Sequence, residues 1–339
     1  MQVGIIGLVQ SGKSMLFRAL SSGANGGIAT VKVPDNRVAK LSDMFRPKKT
    51  TYPSIRFYDI DISLDDDGSF STQTVQSMRE ADAVAVVLRN FKNDAVAHPR
   101  VTVDPVRDLN EIEDMLFLTD LLQIERRLDR LEREHKKDQE YGVLSRIGAR
   151  LEEGKAICRQ GLSEAEKKTI SGFRFLSAKK LLIVLNKDED NAFPDESVNA
   201  YCIERGYEPI VFYGAIEEEI GMLPPEEQKE FLDDIGLTGS ATARFVNRCY
   251  AMLDLISFFT VGEDEVRAWN IRRGSSAAEA AARIHTDIAK GFIRAETVSY
   301  REFIEVGSFK ALKERGLLRL ESKEYTVQDG EIMHFRFNL

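Results

Sequence analysis

The chain has 339 residues, 43% hydrophobic and 30% charged, with a formal net charge of −8. This is the balance of a folded soluble protein of about two to three domains. Its acidity argues against a coat for DNA or lipid held mainly by charge, while leaving room for a local basic patch. No window approaches about 18 uninterrupted apolar residues, so no membrane segment is expected. Cys158, Cys202 and Cys249 are too widely spaced for a disulfide framework or a zinc site, which makes a reducing cytoplasm the expected setting.

The chain opens on a short apolar strand, Val3-Gly4-Ile5-Ile6, and not on a signal peptide. Gly7-Leu8-Val9-Gln10-Ser11-Gly12-Lys13-Ser14 follows, and a helix-forming stretch from Met15 to Leu20 comes next. The spacing GxxxxGK[ST] between a strand and a helix is that of a phosphate-binding P-loop. The backbone N–H groups of Gln10, Ser11, Gly12, Lys13, Ser14 and Met15, with the positive end of the helix, would cradle phosphate oxygens. Lys13 would reach the β- and γ-phosphates, and the Ser14 hydroxyl would complete a Mg²⁺ shell, which makes these two the candidate catalytic residues.

Residues 21–34 are rich in Gly and Ser and end in Thr30-Val31-Lys32-Val33-Pro34, a candidate switch loop leading into a strand. Residues 54–60 read as a strand that places Asp59 near its end, positioned to hold Mg²⁺ directly or through a water; the plainer reading is an acidic strand-end residue. In P-loop GTPases a DxxG glycine amide senses the γ-phosphate. Asp59-Ile60-Asp61-Ile62 lacks that glycine, and Asp65-Asp66-Asp67-Gly68 reads as an acidic turn, so the sensor is damaged or relocated.

Residues 83–88 and 181–185 are continuous apolar runs, the pattern of parallel strands buried on both faces. An open, mostly parallel α/β sheet with its ligand at the carboxyl ends of the strands is therefore expected. Between these runs, residues 106–176 are charged and helix-forming, with Leu116, Leu118, Leu121, Leu122, Leu128 and Leu131 recurring among Glu, Arg and Lys. This predicts a coiled-coil-like helical hairpin inserted into the sheet domain, either a solvated pair or an arm that touches a partner.

Asn186-Lys187-Asp188-Glu189 follows the second run and occupies the place of a base-reading N-K-x-D motif. Asn186 would tie this loop to the P-loop, the stem of Lys187 could lie across the base, and Glu189 is one methylene longer than the Asp that reads guanine. Tyr213-Gly214-Ala215-Ile216 is a final loop whose backbone amides, at Ala215 and Ile216, would meet the base. Beyond about Trp269 a small β-rich domain is expected, with one helix from Ser308 to Glu314 and a hairpin at Asp329-Gly330. Arg267, Arg272, Arg273 and Arg294 form an RNA-facing patch or are ordinary solvated arginines. Trp269 and Phe292 are read as core, and His285 as a structural hydrogen-bonding residue.

Several stretches resemble the Obg-like ATPase (YchF) family over nearly the whole length. They are Val33-Pro34-Asp35-Asn36-Arg37 with Arg46-Pro47-Lys48-Lys49, then Phe258 to Gly262 with Glu265 to Trp269, then Ile284 to Asp287 with Lys290 to Glu296, and Tyr325 to Gly330 beyond. The resemblance implies a P-loop G domain (1–105 and 177–267), an inserted helical domain (106–176) and a C-terminal TGS-type domain (268–339). It also implies slow hydrolysis of ATP in preference to GTP through an N-x-x-E base loop, which Asn186 and Glu189 fit, together with ribosome or RNA association. Lys187 stands where that family has a small apolar residue, which moves the loop toward a GTPase. Val9, Gln10 and Met15 replace the family's Pro, Asn and Thr, the first switch around residues 24–30 is abbreviated, and residues 63–74 are short and acidic where the family has a glycine-rich loop. Two readings follow: a slow nucleotide-hydrolysing switch near the ribosome, and a nucleotide-binding adaptor with little turnover that binds RNA or protein.

Overall fold

A computed structural model describes residues 1–21, 26–66, 68–93, 95–188, 196–224, 227–228 and 240–338. Its strands, in chain order, are β1 (Gln2–Ile6), β2 (Ile28–Lys32), β3 (Lys49–Thr51), β4 (Ser54–Asp59), β5 (Ala83–Arg89), β6 (Lys180–Lys187), β7 (Ile210–Tyr213), β8 (Leu255–Thr260), β9 (Glu265–Arg272), β10 (Phe292–Ser299), β11 (Arg319–Glu321) and β12 (Glu331–Phe337). The chain divides into two compact units, residues 1–31 with 56–245 and residues 32–55 with 246–339.

The first unit is built on a sheet of order β2-β4-β1-β5-β6-β7. From β4 to β7 every neighbouring pair is parallel. All seven residues of β5 are buried, and so are Leu182, Ile183, Val184 and Leu185 of β6, as the unbroken apolar runs require of strands covered on both faces. The register sets Ile5 beside Asp59 on one side and Ala85 on the other, so the P-loop and the end of β4 leave the sheet at the same edge. Lys187 and Tyr213 close β6 and β7 at that edge too, with Asn186 one residue before.

Residues 106–176 are helical, with long helices Pro105–Arg133 and Gln139–Glu152 and a short one at Glu164–Ile170. Asp104 caps the first by accepting from the N–H groups of Val106 and Arg107, with Pro105 in the first turn where its missing N–H costs nothing. These helices do not form a body of their own. Leu109, Ile112, Leu116, Ile124 and Leu131 pack with Val143, Leu144 and Ile147 in one cluster that continues into Ile6, Val84 and Val86 of the sheet. Asp120, buried on the long helix, accepts from the N–H groups of Leu176 and Ser177 at 2.8 Å each and from Ser177 Oγ at 2.6 Å. Burial pushes its carboxyl up to about 6, against the hydrogen bonds that favour the charged form. Glu113 accepts from Tyr207 at 2.6 Å and Tyr201 at 3.0 Å, fixing the helix Glu196–Glu204 to the same face.

In the second unit the sheet order is β11-β10-β12-β8-β9-β3. β12 runs antiparallel to β10 and parallel to β8. One face packs Ile256, Phe258, Ile271 and Phe335 under the helix Ala277–Ile284. The other packs Phe259, Val266, Val298 and Ile332 against Val38 and Leu41 of the helix Asn36–Phe45 and against Phe303 and Leu312. Several expectations are corrected here. The β-rich part begins at Leu255, ahead of Trp269, and holds helices Ala277–Ile284, Thr286–Lys290, Tyr300–Val306 and Phe309–Glu314 in place of the single expected one. Ser276 and Ser299 open two of these with capping boxes to Glu279 and Glu302. Asp329-Gly330 turns the chain but makes no hairpin, because β12 inserts between β10 and β8 and the preceding residues form only an isolated bridge at Thr326. Asp329 is instead a staple. Its Oδ1 accepts from the Ser257 N–H at 2.9 Å and its Oδ2 from Arg37 at 2.8 Å, while Arg37 also grips Asp35. Thr30-Val31-Lys32, expected as a loop, are themselves part of β2.

Candidate functional site

The loop between β1 and the helix Lys13–Ser21 has the backbone a phosphate cradle needs. Ser11 N–H donates to the Leu8 carbonyl at 3.1 Å, and the N–H groups of Met15 and Leu16 donate to the Gly12 carbonyl at 3.0 and 3.2 Å. Gln10 and Gly12 have φ of 66° and 92°, which turns successive amides to one side. Gly7 has no room for a side chain: a Cβ there would collide with Ser11 Oγ and lie 2.7 Å from the Val87 carbonyl. Ser14 is exposed in the first helical turn, its hydroxyl open to a ligand.

Asn186 binds the neighbouring loops together. Its buried amide donates from Nδ2 to the Ser11 carbonyl at 3.1 Å and accepts at Oδ1 from the Gly214 N–H at 3.2 Å. A Cβ on Gly12 would strike that amide, and one on Gly214 would lie 3.0 Å from its oxygen and 3.1 Å from Met15 Cε. Gly12, Asn186, Gly214 and Met15 are thus brought together in one packed corner. Ala215 and Ile216 lie in the first turn of the helix Gly214–Met222, so their N–H groups are among those the helix itself does not use. Lys187 is half-buried at the end of β6. Glu189, the residue expected to read the base, lies outside the described residues, as do Asp190, Asp67 and Ala24.

Lys13 is turned toward the end of β4. Its Nζ lies 2.6 Å from Asp59 Oδ1 and 2.6 Å from Asp61 Oδ1, and it donates to the Ile60 carbonyl at 3.1 Å. Asp59 therefore sits where expected, but as an ion-pair partner of the lysine. Asp61 is the residue that sequence reasoning missed, since it was weighed only as filler in a motif lacking its glycine. Its signal was a second carboxylate two positions beyond Asp59, on the same side of an extended chain. After it, the hydroxyls of Ser63, Ser71 and Thr74 interlock, the Ser71 N–H donates to the Ser63 carbonyl, and the Gly68 N–H donates to the Asp65 carbonyl. Ile62, where the sensing glycine would stand, packs against the core.

The donors available for Mg²⁺ are the Ser14 hydroxyl and the Asp59 carboxylate, hard oxygens of the kind that ion selects. Among the described residues no group of three or more His, Cys, Asp or Glu is placed to hold a metal.

A family model for YchF GTPase C-terminal domains, described as a protein of unknown function (DUF933), matches residues 255–338. The ribosome-binding ATPase YchF of Bacillus subtilis is 35% identical over 361 aligned residues, covering 99% of this chain and 99% of that protein. Its counterpart in Haemophilus influenzae is 36% identical over 359, with the same coverage. The chain belongs to the YchF family. The solved structure of the Schizosaccharomyces pombe YchF GTPase superposes with a TM-score of 0.91 at 26% identity, covering 99% of this chain and 97% of that one. The α/β P-loop fold with helical insertions and a small β-rich C-terminal domain is thus that of YchF.

Elsewhere in this YchF chain, two of the arginines singled out in sequence, Arg267 and Arg273, are engaged. Arg267 lies 3.8 Å over the Trp269 ring, Arg273 pairs with Asp254 at 3.3 Å, and Arg294 is cross-strand from Arg336. Trp269 and Phe292 pack against the core. His285 caps the helix Thr286–Lys290, accepting at Nδ1 from the Asp287 N–H at 3.2 Å. No helix among the described residues is long and apolar enough to cross a membrane.

Proposed function

We propose that this chain binds a purine nucleoside triphosphate in the Gly7–Ser14 loop and hydrolyses it slowly, as an ATPase with GTP as a second substrate, in association with the ribosome. The observation that carries this reading is the Asn186 amide holding the P-loop to the Gly214 turn, which leaves a loop of amides and a helix N-terminus facing one edge of the sheet. In this reading the amides of Gln10 to Met15 hold the phosphates, and Lys13 offsets charge on the transferring group. Bound Mg²⁺, held by Ser14 and Asp59, would supply further charge neutralisation. Ala215 and Ile216 meet the base, with Glu189 and Lys187 setting its identity. The relatives' names carry the preference for ATP and the ribosome as partner. We extend the proposal to a TGS-type role for residues 268–339, with RNA or protein bound there or on the helical arm, and to a cytoplasmic setting.

A second reading is an adaptor that binds nucleotide with negligible turnover. It is favoured by Ile62 packing against the core where a sensing glycine would stand. Titration calorimetry of nucleotide-stripped protein with ADP, GDP and non-hydrolysable ATP and GTP analogues, followed by phosphate release with and without ribosomes, separates the two. Adenine binding with ribosome-stimulated release is the expected result. Binding without release supports the adaptor, and no binding removes both.

A further inference from the structure

Lys13 Nζ is ringed by three oxygens: it donates to Asp61 Oδ1 and the Ile60 carbonyl, and Asp59 Oδ1 lies 2.6 Å away as an ion-pair contact that accepts no hydrogen bond from it. A phosphate oxygen brought to this ammonium meets three oxygens already within 3.1 Å, two of them on carboxylates, so one of the three must give way. They differ in how firmly they are held. The Ile60 carbonyl is fixed at the strand end, where the Ile60 N–H donates to Ile5 and the side chain is 3% exposed. The Asp59 side chain is 24% exposed, on β4. The Asp61 side chain is 96% exposed, and Thr74 Oγ donates to its backbone carbonyl, so its carboxylate can rotate into water while the chain stays in place. Asp61 is the partner that yields.

We propose that Asp61 is a specificity-determining residue of this site: its carboxylate holds the place at Lys13 that a terminal phosphate oxygen would take, and so biases the site toward nucleoside diphosphates. The inference rests on the nucleotide reading given above. A P-loop lysine reaches the β- and γ-phosphates. A triphosphate must turn Asp61 aside and then sit beside its charge, whereas a diphosphate can occupy the loop amides with the Lys13–Asp61 pair intact. Because the Asp61 carboxylate is exposed, the effect is a bias and not a block.

The test is calorimetry on the full chain in Mg²⁺, comparing ADP with a non-hydrolysable ATP analogue for the wild type, Asp61→Asn and Asp61→Glu. Asp61→Asn is expected to raise affinity for the analogue relative to ADP by about three- to fivefold, the upper end of the scale of one exposed charge contact. The gain should shrink at high salt, and Asp61→Glu should keep the wild-type ratio. A ratio unchanged within about twofold in Asp61→Asn overturns the inference while leaving nucleotide binding intact, as does a shift of equal size in Asp61→Glu. If neither the wild type nor Asp61→Asn binds either nucleotide, the functional proposal fails and the inference with it. A wild type that binds only ADP beside an Asp61→Asn variant that binds both supports it.

Discussion

Replacing Asn186 with alanine strands two backbone groups at once, the Ser11 carbonyl and the Gly214 N–H. Both bonds are buried, so the cost should be about 2–4 kcal/mol, read as a fall in denaturant midpoint at constant slope. Nucleotide affinity, in calorimetry on the folded variant, should fall with it, because the P-loop loses its tie to the Gly214 turn. This residue was legible in the sequence: an Asn following an apolar strand, in a chain that already carries Gly12-Lys13-Ser14, has a defined structural task. The Lys13–Asp61 pair was not legible. It depends on where the chain goes after β4, and that is set by Ile62 entering the core and by the hydroxyls of Ser63, Ser71 and Thr74, none of which belongs to a motif.

At the scale of elements, the clamp of Asp120 on the lead-in to β6 joins the helix Pro105–Arg133 to the sheet, and it titrates. Its folded carboxyl lies near 6 against an ordinary 3.8, so its contribution to stability is full below the unfolded value and is lost as pH rises through about 6. The difference corresponds to about 3 kcal/mol. Denaturant melts of the wild type and Asp120→Asn between pH 4.5 and 7.5 should therefore show the wild type gaining on the variant as pH falls. A gap that is flat with pH would show that the three hydrogen bonds offset burial, and one that widens toward neutral pH that they outweigh it. The elements themselves were unevenly legible. β5, β6 and the leucine-rich helix announced themselves through period and continuity. β3 did not, because Lys49-Thr50-Thr51 carries no apolar signal and becomes a strand only by pairing with β9. The Asp329-Gly330 turn misled for a related reason, since turn chemistry specifies a reversal of direction but not which strand receives the chain.

On the scale of the whole molecule, neither compact unit is a continuous stretch of chain. Residues 246–339 alone lack β3 and the helix Asn36–Phe45, and with it Val38 and Leu41, both fully buried against Phe259 and Val266. Two such side chains are worth roughly 4 kcal/mol or more, a large share of a small domain's stability. The isolated C-terminal fragment should therefore melt without a cooperative transition by circular dichroism, and a version carrying residues 32–55 joined through a linker should recover one. A sharp transition in the bare fragment would show that its sheet suffices.

The same interleaving bears on how the protein is made. Residues 32–55 leave the synthesising machinery early, but β8 and β12, which complete their core, follow about 200 to 280 residues later. At about 5–20 residues per second, the amphipathic helix Asn36–Phe45 waits roughly 10 to 60 s with its apolar side uncovered. Every newborn copy thus carries an adhesive segment for most of its own translation, and any slowing late in the message prolongs that exposure.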